Sequence, residues 1–312
     1  MADVDRLVRQ WLETDAAFGV AEVPLPAVRV GASVPAQQAA RPASPPPVAA
    51  AKPAAPARPV APTRPAASTS ALIPAIAEGP DDMPRRKAVI EMPAAPAGDI
   101  ASLPPITRRQ KEEALAKLLD EVTRGCKQYI NEISTRLVFG EGDPDAQILF
   151  VGEGPGIEED RTGRPFVGRS GQLLDKMIVA MGFQRDPTGA GGGVYIANVV
   201  KLRCAEMDDT TGRLKDRPPT PEEAARGLPI LHKQIEIIRP RVIVTLGAPA
   251  IKYVTGTTEG VMKIRGTWHE YRGIPVMPTY HPSFLLRAYT EENRRKVWGD
   301  LKLALTKVNK PG

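Results

Sequence analysis

Ile148-Leu149-Phe150-Val151-Gly152-Glu153-Gly154-Pro155-Gly156-Ile157-Glu158-Glu159-Asp160-Arg161-Thr162-Gly163-Arg164-Pro165-Phe166-Val167-Gly168-Arg169 joins a short apolar run to a loop of glycine, proline and charge. Four large apolar residues in a row, bounded by turn-forming residues, predict a strand buried on both faces. In the loop, glycine and proline alternate with charges and one aromatic. The backbone can therefore approach a ligand while side chains supply polar contacts and a stacking surface. Such a loop suits a flat, polar ligand.

Downstream, Ser170 is positioned to cap a helix carrying Leu173, Leu174, Met177, Ile178 and Met181, which Gly182 ends. A glycine-rich turn at 189–193 leads to a second strand, Val194–Val200. Residues 203–219 are polar and predict a long excursion. Thr220-Pro221-Glu222-Glu223 opens a helix reaching about Ile238: a capping threonine, proline at the first position and acids in the first turn. Val242–Leu246 predicts a third strand, and Gly247 begins a helix with Ile251 and Val254. A hairpin or loop with Trp268, His269 and Tyr271 precedes the fourth strand, Ile274–Pro278. That strand empties into Thr279-Tyr280-His281-Pro282-Ser283-Phe284-Leu285-Leu286-Arg287. A last helix over 291–307 turns Val297, Leu301 and Leu305 inward.

Upstream of the apolar run, residues 107–125 predict a helix with Leu115, Leu118, Leu119 and Val122 on one face. Strands alternating with helices predict a three-layer α/β/α sandwich over residues 106–312, with a central four-stranded, mainly parallel sheet. Ligands of such sheets bind beyond the carboxyl ends of the strands. Glu153, Asn198 and His281 are therefore expected to converge.

The rest of the chain is different in kind. Residues 1–19 place Val4, Leu7, Val8, Trp11 and Leu12 at helical spacing, an amphipathic helix suited to docking a protein partner. Residues 20–105 hold 19 of the chain's 33 prolines, among alanine and serine. Too few large apolar groups are present to offset ordering entropy, so a disordered linker is expected. The 312 residues carry 42 Lys+Arg against 36 Asp+Glu, a formal charge of +6 that leans towards anionic partners. Two cysteines are too few for a disulfide framework and fit a reducing compartment. No apolar run is long enough to cross a bilayer, and Asp3 and Asp5 stand where a signal peptide would be basic. A soluble, monomeric, cytoplasmic protein, nucleoid-associated and without a membrane partner, is expected.

Five motifs occur in order: Gly-Glu-Gly-Pro-Gly followed by Glu-Asp; Gly-Arg-Pro-Phe-Val-Gly-Arg-Ser-Gly-Gln-Leu-Leu; Asn-Val-Val-Lys; Ile-Arg-Pro-Arg-Val-Ile-Val-Thr-Leu-Gly; and Thr-Tyr-His-Pro-Ser. Together, over about Cys126 to Leu305, they resemble the family 4 uracil-DNA glycosylases, bacterial and archaeal base-excision enzymes. The resemblance implies DNA, single- or double-stranded and containing uracil, as substrate. Uracil must leave the base stack before its glycosidic bond is accessible, which calls for a flat pocket, an edge reader and a wedge. By resemblance Phe166 stacks on the base and Asn198 reads uracil N3–H and O4, as a carboxamide with both donor and acceptor can. Gly154 and Gly156 line the base. His281, with backbone N–H groups of the loop, stabilises charge on uracil O2, and Glu153 positions water or balances the sugar cation. Ser283 is a candidate phosphate contact, and Phe284 and Leu285 are candidates for the wedge. Arg161, Arg164, Arg169, Lys201, Arg265 and Arg287 are candidates to hold phosphates.

Family 4 enzymes typically carry a four-cysteine [4Fe–4S] cluster. Here Cys126 keeps one ligand position, while Tyr129, Leu202 and Gly227 stand at the other three and Cys204 lies two residues late. Two thiolates do not hold a cubane, so neither a cluster nor any other cofactor or metal is expected. The alternatives to a cluster-free, monofunctional uracil-DNA glycosylase are a DNA-binding repair or replication module that retains the pocket without the rate, and a glycosylase for another deaminated base such as hypoxanthine.

Overall fold

Thr107 opens the first long helix. Its hydroxyl accepts from the Gln110 N–H, and the Gln110 side chain accepts from the Thr107 N–H, so two otherwise orphaned donors are satisfied. The structure, a computed structural model, describes residues 93–185 and 192–308. The helix expected over 1–19, most of the linker and most of the turn at 189–193 lie outside the described residues. From Thr107 the order is α1 (Arg108–Cys126), β1 (Glu141–Gly142), β2 (Ile148–Gly152), α2 (Ile157–Thr162), α3 (Arg169–Ala180), β3 (Tyr195–Asn198), β4 (Ala205–Asp208) and β5 (Arg213–Asp216). Then come α4 (Pro221–Ile238), β6 (Val242–Leu246), α5 (Ala248–Thr255), α6 (Val261–Ile264), β7 (His269–Tyr271), β8 (Ile274–Thr279), α7 (Pro282–Arg287) and α8 (Glu291–Val308).

β2 explains the layering. Successive strand side chains point to opposite faces, so Ile148 and Phe150 enter one core while Leu149 and Val151 enter the other. The first core packs them with Leu174, Met177 and Ile178 of α3, Leu285 of α7 and Leu301 of α8. The second packs them with Leu118 of α1, Leu228 and Ile235 of α4 and Ile251 of α5. Burying a side chain such as Ile148 or Phe150 contributes about 1.5–3 kcal/mol. The three-layer α/β/α arrangement follows.

The main sheet has six strands in the order β1-β3-β2-β6-β8-β7. Its centre is the expected parallel quartet, with Gly152 opposite Asn198 and Leu246 opposite Thr279. Two short antiparallel edge strands, β1 and β7, extend it. β7 returns into β8 through Arg272 and Gly273, both at positive φ (49° and 80°), as a two-residue hairpin turn requires. The excursion over 203–219 contains a hairpin, β4 against β5, with Glu206 opposite Lys215 and Asp208 opposite Arg213.

The boundary expected at residue 106 is corrected by the segment before it. Ile100 is buried, and its N–H donates to Arg272 O at 3.0 Å. Arg272 Nε donates to Gly98 O at 2.7 Å, and Arg239 Nη1 donates to the carbonyls of Leu103 and Pro104. One apolar anchor and a set of carbonyl–arginine bonds order this strap, a local exception inside a proline-rich stretch. From β2 the chain passes to β3 on one side and later to β6 on the other, so the strand order reverses there. The crevice beyond the carboxyl end of β2 is where such sheets bind ligands.

Candidate active site

Glu153, Asn198 and His281 do converge. Gly152 pairs with Asn198 across the ladder, the Val199 N–H donates to Gly152 O at 2.9 Å, and the Val200 N–H donates to Glu153 O at 3.1 Å. β2 and β3 thus leave the sheet together. All three residues line a hollow of about 490 Å³ with Phe166, Gly154 and Gly156. An adjoining hollow of about 270 Å³ shares Glu153 and His281 and adds Met262, Tyr280 and Phe284.

Asn198 is 1 % exposed, yet neither its Oδ1 nor its Nδ2 has a hydrogen-bond partner among the described residues. A buried carboxamide without partners is costly, by roughly 1–3 kcal/mol per group, which is the signature of a group that meets its partner in a ligand. Gly152 makes room for it. A Cβ there would stand 2.4 Å from Asn198 Oδ1 and 2.4 Å from Phe166 Cζ. Phe166 is buried, and its ring centroid lies 5.7 Å from that of His281 at 33°. An aromatic face, a free amide edge and an imidazole therefore border one space.

The loop is held from within. Its first part forms α2, where the glycines and prolines predict open loop. The buried Asp160 carboxylate accepts from Thr135 N–H (2.8 Å), Thr135 Oγ1 (2.7 Å) and Arg136 N–H (3.1 Å), tying α2 to the segment before β1. Glu159 Oε1 accepts from the Val167 and Gly168 N–H groups at 2.8 and 2.9 Å, and its Oε2 from the Gly156 N–H at 3.1 Å. The Gly156 N–H is thus used inside the loop and is not offered to a base. Between these ties Phe166 takes φ 52°, a left-handed conformation costing a non-glycine residue about 1–2 kcal/mol. The helix after the loop begins at Arg169 with Gly168 as its cap, two residues before the position expected for Ser170.

Electrostatics divide the two catalytic candidates. Burial lowers the His281 imidazole to about 4, with Arg287 adding in the same direction and Glu159 opposing, so it is neutral at pH 7. The Ser283 N–H donates to His281 Nδ1 at 3.1 Å, and Ser283 Oγ lies 2.7 Å from the same atom. Since Nδ1 accepts, the neutral ring carries its proton on Nε2. Burial raises the Glu153 carboxyl above its usual range, and its Oε1 has no partner among the described residues.

The remaining site candidates separate. Arg169 and Arg287 are exposed on the lining of the larger hollow, where an anionic backbone would pass. Phe284 is partly exposed beside Tyr280, with ring centroids 4.6 Å apart. Leu285, expected as part of a wedge, is fully buried in the core under α7; the helical turn points Phe284 outward and Leu285 inward. Ser283, proposed for phosphate, spends its hydroxyl on His281. Arg164 makes a two-pronged ion pair with Glu141 at 2.8 and 3.0 Å and lines neither hollow. Arg161 pairs with Glu158 on the outer face of α2. Arg265 is drawn inward by Asp300, and Lys201 is 3 % exposed, its Nζ donating to Asn198 O and Gln234 Oε1 at 2.7 Å each. Lys201 and Arg265 are thus turned into the protein, whereas Arg161 and Arg164 are paired with carboxylates at the surface.

Sequence reasoning missed part of the wall. Asp216 and Arg217, at the base of the β4–β5 hairpin, line the larger hollow, and the exposed apolar residues Ile157 and Met262 flank the two mouths.

The cluster positions form a third hollow, about 650 Å³, lined by Cys126, Tyr129, Leu202, Cys204, Arg226 and Gly227 among others. They do not fit a [4Fe–4S] group. At Gly227 a Cβ would stand 2.2 Å from Val199 O and 2.9 Å from Val200 Cα, so α4 packs on the β3 exit with no space for a thiol. The Arg226 guanidinium lies 4.7 Å from the centroid of the Tyr129 ring at another ligand position. Burial raises both thiols, Cys204 to about 12 with Glu223 adding to the shift, opposite to what a thiolate ligand needs. Beside this hollow, Arg203 pairs with Asp216 at 2.7 Å and Arg217 with Glu223 at 2.7 Å, closing the hairpin base onto α4.

Comparison with known proteins agrees with the fold. A family profile described as the uracil DNA glycosylase superfamily matches residues 139–302. A type-4 uracil-DNA glycosylase of Thermotoga maritima is 42 % identical over 208 residues, 66 % of this chain and 99 % of the relative. Those of Sulfurisphaera tokodaii and Archaeoglobus fulgidus are 38 % and 33 % identical, covering 59 % and 61 % of this chain and 84 % and 91 % of their own. Since the profile spans more than half of the chain and the Thermotoga maritima relative is matched over almost its whole length, the chain belongs to the uracil DNA glycosylase superfamily and to its type-4 branch.

Proposed function

We propose that this chain is a uracil-DNA glycosylase that works by monofunctional hydrolysis, initiating base excision repair, and that it does so without an iron–sulfur cluster. The observation carrying the reading is Asn198: a buried carboxamide with both atoms unpartnered among the described residues, framed by Gly152, Phe166 and His281. Its Oδ1 would accept uracil N3–H and its Nδ2 would donate to O4. Cytosine presents the reverse pattern at these two positions.

The chemistry follows from the charges. As the C1′–N1 bond breaks, its electron pair passes to uracil N1 and is shared with O2, while the sugar becomes oxocarbenium-like. The Nε2–H of neutral His281 would donate to O2, a contribution of about 2.7–4 kcal/mol for one such donor. Glu153 would orient the water that adds to C1′, and the water's second proton leaves to the carboxylate or to solvent. The base departs as the uracil anion and an abasic site remains. Arg169 and Arg287 would hold the backbone on either side, with Phe284 at the rim entering the gap.

Purified full-length protein incubated with single- and double-stranded oligonucleotides holding one uracil, then treated with alkali, is expected to yield a single strand break at that position. Iron and sulfide in anaerobically purified active protein are expected to be far below one cluster per chain. Binding without strand breaks would overturn the catalytic reading, and stoichiometric iron and sulfide the cluster-free one.

A further inference from the structure

Phe166 forms the aromatic wall of the pocket, and its backbone is unusual. A phenylalanine at φ 52° has to be held there by its neighbours. Glu159 ties the N–H groups just after it. Its own carbonyl and that of Pro165 go elsewhere: Arg185 Nη2 donates to Phe166 O at 2.6 Å, and Nη1 to Pro165 O at 2.7 Å. Arg185 follows α3 in sequence, 19 residues from Phe166, and belongs to none of the five motifs.

The guanidinium is itself fixed. Its side chain is 14 % exposed, Nε donates to Asp175 at 2.7 Å, and Nη1 also donates to Glu141 at 2.8 Å. On the far side of the Phe166 carbonyl stands Gly171. A Cβ there would lie 1.8 Å from Phe166 O, so the first turn of α3 presses directly on the same peptide. Arginine suits this place because its planar fork reaches two adjacent carbonyls at once while keeping both carboxylates.

We infer that Arg185 is a positioning residue for the base pocket: by gripping the Pro165 and Phe166 carbonyls, it fixes the left-handed turn that presents the Phe166 ring to the base beside His281. The inference rests on the uracil-glycosylase reading for its kinetic consequence and not for its structural one. If the grip is released, the backbone relaxes towards negative φ and the ring leaves the wall. Base stacking and the alignment of the glycosidic bond are then lost without any change in Asn198, His281 or Glu153.

Arg185→Lys keeps a cation for Glu141 and Asp175 but cannot span both carbonyls. Single-turnover cleavage of a uracil oligonucleotide is expected to fall by about 10- to 100-fold, as a misplacement near 1 Å can cause. Arg185→Gln serves the same purpose if the lysine variant does not fold. In a Phe166→Ala background the same substitution is expected to have almost no further effect, because the ring through which it acts is gone. Asp175→Asn, which breaks an ion pair and leaves the carbonyl grip, is expected to leave the rate unchanged. Independently of activity, phenylalanine labelled with ¹³C at Cζ alone gives six ring signals, one per residue, and that of Phe166 is assigned by its absence in Phe166→Ala. Arg185→Lys is expected to shift or broaden that signal alone. An unmoved Phe166 signal, or an Arg185→Lys penalty that persists in full without the ring, overturns the inference. A wild-type protein that releases no uracil defeats the activity reading while the NMR comparison still decides the role of Arg185.

Discussion

The N–H of Ser283 donates to Nδ1 of His281 at 3.1 Å, which leaves the imidazole proton on Nε2. A residue two positions downstream thus determines which nitrogen of the histidine can act as a donor. With burial holding the ring near pKa 4, the group is a neutral electrophile throughout the physiological range.

His281→Ala is accordingly expected to slow single-turnover cleavage by about 10²–10³-fold with stability little changed. Among the three histidines, His281 is expected to remain neutral at about pH 5.5 in an NMR titration. Its folded value is depressed below the unfolded one of 6.5, so its contribution to stability is present above 6.5 and lost as pH falls towards 4. Protonation near pH 6.5 would rule out the neutral donor.

Asn198→Asp replaces a donor–acceptor edge with an acceptor-only one. Uracil excision is expected to drop by at least about tenfold, and the ratio of uracil to cytosine excision to shrink, measured on paired oligonucleotides differing at one base. Gly152→Ala tests the same space from behind. Its Cβ would overlap both Asn198 Oδ1 and the Phe166 ring, so loss of most activity is expected, with overpacking costing about 1–3 kcal/mol in urea denaturation. A fully active Gly152→Ala protein would show that the pocket is not built on this contact.

Gly227→Cys returns a thiol to a cluster position. Because Val199 O lies 2.2 Å from the place of that Cβ, the variant is expected to lose about 1–3 kcal/mol of stability and to gain no iron, checked by denaturation and metal analysis. A stable, iron-binding variant would mean that α4 retreats readily.

Lys201 reports on burial. Desolvation lowers its ammonium to about 7 from an unfolded value of 10.5, so the unfolded chain binds the proton more readily between them. Stability is therefore expected to rise with pH from about 7 to about 10 and to be level below that range, as far as this residue contributes. Lys201→Met should remove that slope while lowering stability at high pH, where Asn198 O and Gln234 Oε1 lose their donor. Parallel urea titrations of both proteins at about pH 7 and about pH 9.5 make the comparison. An identical slope in both would assign it to other groups.

What was legible in the sequence was what is written locally or in alternation. Ile148 to Val151 alternate between two cores because strand side chains alternate, and Thr220 caps a helix through the residue three positions on. The meeting of Glu153, Asn198 and His281 followed from strand order, since parallel strands deliver their carboxyl ends to one edge. β1 and β7 were too short to carry a period, and Ile100 was one apolar residue within a proline-rich average.

The sequence by itself determined the succession of strands and helices, the three residues at their ends and the absence of four cysteines, because periodicity, capping and composition act over a few residues. Only the tertiary structure decided which way each group faces and whom it meets. Leu285 points inward and Phe284 outward, Lys201 is sealed beneath Asn198, Arg164 is held by Glu141, and Arg185 reaches back to Phe166. The partner of a buried charge or of a strained peptide is chosen by contacts between segments distant in the chain, and no local pattern encodes it.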